Sequence, residues 1–432
     1  MTPLVQLEVA DHALGLRGKV VRADKAGPGK RPAFCTIIYG LDAADDVADT
    51  MRSSAANGYP DGQLLLDEDT RVALPWRRNT SAVLATMVDE NSVAMGEDPR
   101  GLVASLTSRL AEYGVSPVLG YEYELHLFER PDGEVRRIED LVPFSRLHNA
   151  YSLSRSATLA GLAEEFVDRM DAIGVPVEAV HAELGHGFFE FALGPAPAVR
   201  AADSAARAKE YFKELATERG LLASFMAKPR VDASGAGGHV HQSITRNGVN
   251  VFCEAPGQLS TDGRAYLAGL LDTMADSTLL MCPTPNSYRR LSAEHFVSET
   301  VTWGWDNRNA ACRVIGAGPL SEARVEHRRP GADASPYVVA AALLAGGLWG
   351  LRERPDLGEP LGRGPSSSRP PLPNTMRDAI AALRDSPRAT DLLGPDFVKA
   401  FLATRASELA KYDAWVASRV TEWEIARYLE AL

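Results

Sequence analysis

Seven ionisable side chains stand in short apolar stretches where a buried strand would carry Val, Ile or Leu. They are Glu122 and Glu124 in GYEYELHLFE, Glu183 and Glu190 in HAELGHGFFE, His239 and His241 in GGHVHQS, and Glu326 in RVEHR. Burying an ionised group is costly unless it is paired or coordinated to a metal. These segments therefore constrain the fold: each group needs a partner, a cation or water. Five arginines accompany them, Arg290, Arg308, Arg313, Arg324 and Arg328. Carboxylates suit divalent metals and arginines suit phosphate or carboxylate, a combination that points to nucleotide chemistry.

Side chains two apart on a strand share a face. Glu122 and Glu124 thus point one way, as do His239 and His241, and as do Arg324, Glu326 and Arg328. Such faces pack poorly and suit cations; the alternative is the solvated face of an antiparallel sheet. Glu183 and Glu190 lie seven apart and would face opposite ways on one straight strand. Gly185 and Gly187 between them allow a bend that would bring both to one site; the alternative is a plain hairpin with incidental glutamates. SGAGGHVHQS joins a glycine-rich turn, whose N–H groups can approach an anion, to a His-x-His strand. Arg313 stands between Cys312 and Val314, a more apolar setting than most surface arginines have. The alternative for it and Arg308 is surface salt bridging.

Along the chain, LVQLEVA, RGKVVRA, AFCTIIYG and QLLLDEDTRVALPW read as strands, with a Ser/Gly/Asn/Asp-rich loop around residues 45–63. Pro99 opens a helix with Leu102, Leu106 and Leu110 on one face, and Gly114 closes it. Farther on, VLGYEYELHLF, PVEAVHAELG, FFEFALGP, SFMAKP and GGHVHQSIT read as strands. Residues 157–173, 264–277 and 336–351 read as helices. Asp203 is placed to cap a helix carrying Ala208, Tyr211, Phe212 and Leu215. RPDLGEPLGRGPSSSRPPLPN reads as a loop or disordered linker. The C-terminal helices have Phe401, Tyr412, Trp415 and Trp423 as expected anchors. Strands mixed with helices, without regular βαβ alternation, predict an α+β fold, with two domains dividing near residue 100.

The 432 residues carry a net charge of −11, which argues against a general nucleic-acid binder. The four cysteines show no CxxC spacing and fit a reducing cytoplasm. No signal peptide and no membrane span are expected from the chain. Rossmann, P-loop and GxSxG fingerprints are absent.

In chain order, RGK at 17–19, GYEYELHLF, HAELGHGFFE, FMAKP at 225–229, GAGGHVHQS, NSYRRL at 286–291, WGWDNRNAACRV and RVEHRRPGADASPY resemble the glutamine synthetase superfamily, bacterial type I branch. The resemblance spans nearly the whole chain. It implies an N-terminal β-grasp domain over 1–100 and a catalytic domain over 101–432. It also implies a cytoplasmic homo-oligomer, a dodecamer of two hexameric rings, with active sites between subunits. The activity implied is phosphorylation of glutamate's γ-carboxylate by ATP, then attack by an amine, assisted by two or three Mg²⁺ or Mn²⁺ ions.

By the same resemblance, Glu124, Glu183 and Glu190 form one metal site, and Glu122, His239 and Glu326 the other. His241, Ser243 and Arg324 match nucleotide-contacting positions. Arg290 and Arg328 match the residues that hold substrate carboxylates, Gly235 the glycine lying against glutamate, and Arg308 and Arg313 the phosphate clamp.

Departures from the pattern bear on the acceptor. Phe296 stands where the family places a glutamate that helps form the ammonium pocket and takes a proton. A phenyl ring does neither, but it can line a pocket for an organic amine. Ser234 replaces an Asn that contacts the glutamate backbone, and Phe188 replaces a Gln. Asp49 is the candidate base in the N-terminal loop. Residues 352–374 contain no tyrosine, which removes the family's adenylylation site. The expected activity is a γ-glutamylamide synthetase acting on a primary amine. The alternatives are an ordinary, ammonia-using glutamine synthetase and an inactive structural or regulatory member of the fold.

Overall fold

The computed structural model describes residues 2–135, 137–147, 149–292, 296–362 and 370–431. Strands mixed with helices without regular alternation give the α+β fold that the pattern predicts. Near the N-terminus, β1 (Leu4–Ala10), β2 (Leu16–Arg22), β3 (Ala33–Cys35), β4 (Asp61–Leu66) and β5 (Thr80–Val88) form a sheet in the order β2-β1-β5-β4-β3. β1 and β5 run parallel and the other neighbours antiparallel. Leu7, Val9, Leu64, Val83 and Met87 form an apolar core of their own beneath it. β5 is not expected from the sequence, yet it lies in the middle of the sheet. TSAVLATMV is buried on both faces, so it lacks the polar alternation that marks a half-exposed strand. AFCTIIYG is a strand only over Ala33–Cys35 and continues as a 3₁₀ turn, Thr36–Gly40.

Asp98 caps α1 (Pro99–Ala111) by accepting from the Gly101 N–H at 2.8 Å. A ten-stranded sheet follows, built around β6 (Ser116–Glu129), β7 (Val177–Ala182), β8 (Phe188–Leu193), β9 (Gly238–Arg246), β10 (Trp303–Trp305), β11 (Cys312–Ile315) and β12 (Arg324–His327). Its main path is β10-β11-β12-β9-β6-β8-β7. SFMAKP pairs only as far as Ser224, at the end of the short strand Leu221–Ser224 on β6.

Helices cover one side of this sheet. They include α2 (Leu153–Ala172), α3 (Ala198–Glu218), α4 (Thr261–Asp272), α5 (Met274–Met281) and α6 (Pro336–Glu353). The helix expected over 264–277 is thus two, joined at Thr273.

Asp203 is not a cap. α3 begins five residues earlier, and the buried Asp203 carboxylate takes the Arg100 guanidinium at 2.8 and 2.9 Å and the Tyr337 hydroxyl at 2.9 Å. It locks α1, α3 and α6 together. A cap and a buried ion-pair partner draw on the same residue type, which is why sequence alone confuses them. In the C-terminal helices α7 (Met376–Arg384), α8 (Pro387–Leu393), α9 (Pro395–Ala417) and α10 (Glu422–Tyr428), Phe401 is buried as expected. Trp415 and Trp423 are more than half exposed and meet neighbours in their own helices, Tyr412 and Tyr428.

Candidate active site

Sheet register turns the parity argument into a site. His239 on β9 stands opposite Glu122 on β6. Glu124 on β6 stands opposite Glu190 on β8, which in turn stands opposite His181 on β7. Across the other half, His241 on β9, Glu326 on β12 and Arg313 on β11 form a row. Directly opposed residues share a face, so the polar positions of six strands converge on one surface.

The first cluster is internally compensated. His241 Nε2 lies 2.9 Å from Glu122, while Arg324 Nε donates to His241 Nδ1 at 3.1 Å. That pair of contacts assigns the Nε2 proton to the bond with Glu122. His239 Nδ1 is 3.8 Å from Glu122 and 3.5 Å from Glu326. Glu326, 1 % exposed, also takes Arg313 at 3.0 Å and a short bond from Arg328. Burial pushes its carboxyl pKa up, but the neighbouring His239 and the Arg328 guanidinium prevail and bring it down to about 2. Burial likewise opposes ionisation of Glu122, and the nearby His239 imidazole and the hydrogen bond to His241 overcome it, holding Glu122 well below the carboxylate range.

The second cluster is not compensated. His181 Nε2 lies 3.0 Å from Glu190 and its Nδ1 3.5 Å from Glu183. Glu124 accepts from the Gly237 N–H at 2.5 Å. A Cβ at Gly237 would stand 2.4 Å from the His239 ring, so the turn can close over both clusters only with glycine there. Burial and the neighbouring Glu190 and Glu124 push the Glu183 carboxyl above its ordinary range. The bond to Glu190 raises the His181 imidazole. Gly185 at φ 143° and Gly187 at φ 61° make the bend between the two glutamates.

Glu122, His241 and Glu326 can offer ligand atoms within 4.8 Å of one another, and so can His181, Glu183 and Glu190. Oxygen and imidazole donors at this density, with carboxylates crowded against each other, fit divalent cations. His181 was missed by sequence reasoning, although its even spacing from Glu183 on one strand could have revealed it.

Two clefts meet at Glu122, each of about 590 Å³. One is lined by both clusters together with Arg290, Arg308, Arg313, Arg328, Ser234 and Gly235. The other is lined by His241, Ser243 and Arg324. Apart from Asp49, the structure thus brings every candidate site residue to one of two adjoining spaces. Phe296 and Tyr151 stand on the rim of the first, 52 % and 68 % exposed. Both have left-handed backbones, at φ 56° and 54°, an uncommon and strained state for a bulky side chain. Tyr151 comes from a loop and packs its ring 5.0 Å from His181; no sequence pattern signals it. Asp49 does not line the cleft of its own chain. It accepts from the Ala55 N–H and the Tyr59 hydroxyl at 3.2 and 3.4 Å.

The family described as glutamine synthetase, catalytic domain, matches residues 96–428. The chain belongs to this family. It is similar to type-1 glutamine synthetase 2 of Dictyostelium discoideum, 30% identical over 446 residues, covering 100% of this chain and 84% of the relative. It is also similar to a glutamate–isopropylamine ligase of a Pseudomonas species, 31% identical over 407 residues, covering 92% and 87%. Among solved structures, apo GmaS without ligand superposes with a TM-score of 0.84 at 27% identity, over 100% of this chain and 97% of that one. The protein is a glutamine synthetase-like ligase, an enzyme type that uses ATP and a divalent metal. Among the described residues, no helix is long and apolar enough to cross a membrane.

Proposed function

We propose that the enzyme joins the γ-carboxylate of glutamate to an organic primary amine at the expense of ATP. The observation that carries this reading is the contrast within the first cleft. Its floor holds two groups of potential metal ligands and a set of arginines, whereas its rim presents Phe296 and Tyr151. The similarity to a glutamate–isopropylamine ligase points the same way.

In this reading a γ-carboxylate oxygen attacks the terminal phosphorus of ATP and ADP departs. The amine nitrogen then attacks the acyl phosphate carbon, loses a proton, and expels phosphate. Glu124, Glu183 and Glu190 would hold one divalent ion, and Glu122, His239 and Glu326 another, as Mg²⁺ or Mn²⁺. Bound there, the ions would supply positive charge to offset that of the transferring phosphoryl group. Arg308 and Arg313 clamp that group. Arg290, Arg328, Gly235 and Ser234 orient glutamate, and His241, Ser243 and Arg324 hold the nucleotide. Phe296 and Tyr151 receive the acceptor's organic substituent.

The separate apolar core around Leu7, Val9 and Val83 supports an N-terminal domain over 1–100 and a catalytic domain over 101–432. We take that first domain to be a β-grasp and the assembly to be a dodecamer of two hexameric rings. Four free cysteines support a cytoplasmic setting.

Phosphate release, measured with ATP, Mg²⁺ or Mn²⁺, glutamate and a panel of amines, tests the proposal. Turnover with ammonia at low concentration, and no gain from any amine, overturns the acceptor in favour of an ordinary glutamine synthetase. No release with any amine supports an inactive member of the fold. Phe296→Glu is expected to shift preference toward ammonia; unchanged selectivity removes the role given to the rim.

A further inference from the structure

Arg155 is 0 % exposed and lies in the first turn of α2. The helix dipole disfavours a cation there, and burial adds to the cost. Its four hydrogen bonds among the described residues go to main-chain carbonyls. Nη1 donates to Asn149 at 3.0 Å and Glu183 at 2.6 Å; Nη2 donates to Gly185 at 2.6 Å and Phe188 at 3.0 Å. The guanidinium also stacks 5.4 Å from the Phe189 ring. One side chain thus satisfies both sides of the glycine turn and the loop that leads into Tyr151. The β7–β8 ladder ends at Ala182–Phe189, with the Glu183 N–H donating to the Phe188 carbonyl at 2.9 Å just beyond it, and Gly185 and Gly187 shape the turn that follows. The Leu184 carbonyl of the same turn takes a short bond from the Ser234 hydroxyl.

We propose that Arg155 is a positioning residue: its buried guanidinium holds the turn that carries Glu183 against the loop that carries Tyr151, and so sets the geometry of the second carboxylate cluster. Glu124 and Glu190 are placed by strand pairing. Glu183 lies one residue beyond β7, so its carboxylate sits where the turn puts it. The cluster accommodates a metal only if that turn keeps its shape. The inference rests on the metal reading of Glu183 given above.

Mn²⁺ titration calorimetry on the full-length oligomer tests it, with Arg155→Lys beside the wild type. A lysine ammonium has one nitrogen and cannot span four carbonyls. Loss of an outer-shell partner of this kind weakens metal binding by about 10- to 100-fold. The expected result is therefore a loss of about tenfold or more in one class of Mn²⁺ sites, with ADP affinity at saturating Mn²⁺ changed by no more than about twofold. A variant that melts at lower temperature but binds Mn²⁺ as the wild type does has lost only structural support, and that result overturns the inference. If Arg155→Lys does not fold, Ser234→Ala removes the lighter clasp on the same turn and is expected to weaken Mn²⁺ binding in the same sense; unchanged binding overturns the proposal. A wild-type protein that binds no Mn²⁺ overturns the metal reading itself, a separate outcome.

Discussion

The two carboxylate clusters lie on one sheet face and use the same residue types, yet they are built differently. The one around Glu326 is set in strand interiors and compensated by its own neighbours: Arg313, Arg328 and His239 beside Glu326, and the His241 N–H on Glu122. The one around Glu183 is finished by a turn and left with surplus negative charge, which burial and like-charge repulsion express as a raised carboxyl. The first therefore contributes to the fold's stability even without a metal. In the second, burial and like charge oppose ionisation of Glu183, which a bound cation would relieve. In the metal reading proposed above, stability and metal affinity are thus divided between two halves of one site.

The largest effect expected from this contrast is that of Glu326→Gln. It leaves buried Arg328 without its counter-charge and Arg313 with Asp306 alone, so metal-free stability should fall by about 3 kcal/mol or more. Phosphate release should drop by roughly 1,000-fold. Thermal melting and the phosphate assay check both; a variant that is inactive but fully stable breaks the comparison. Glu190→Ala should abolish phosphate release to a similar degree. Its metal-free stability should move by no more than about 1 kcal/mol, because the lost bond to His181 is offset by relief of like charge. Substantial residual activity counts against Glu190 as a metal ligand.

A smaller effect concerns pH. Glu326, brought down to about 2, contributes stability that is present above the ordinary carboxylate pKa and lost as pH falls toward 2. The raised Glu183 has the opposite sign: the folded state binds its proton more readily, so metal-free stability from this group grows as pH falls through its folded value. Mn²⁺ must displace that proton. Calorimetry in buffers of different ionisation enthalpy should therefore detect proton release that increases as pH is lowered toward the ordinary carboxylate range, and that diminishes in Glu183→Gln. Proton release unaltered by that substitution would show that the charge surplus lies elsewhere.

Most of the site was legible because strand parity is a local rule. Glu122 with Glu124, and His239 with His241, had to share faces whatever the fold. Other features were hidden for physical reasons. Thr80–Val88 lacks alternation because both its faces are buried. Asp203 read as a cap because the chemistry of a cap and of a buried ion-pair acceptor is the same. Trp415 and Trp423 have the composition of anchors, and only packing shows them exposed. Tyr151 reaches the cleft from a loop with no periodicity.

The sequence by itself determined which residues could ligate a cation, which of them share a strand face, and that Phe296 has no charge to offer an ammonium ion. These follow from side-chain chemistry and the two-residue period of a strand. Tertiary structure alone decided which strands are neighbours, and hence that Glu326 is neutralised while Glu183 is not. It alone revealed Arg155 beneath the turn, because a guanidinium that bonds only to main-chain carbonyls leaves no pattern in the residues it holds.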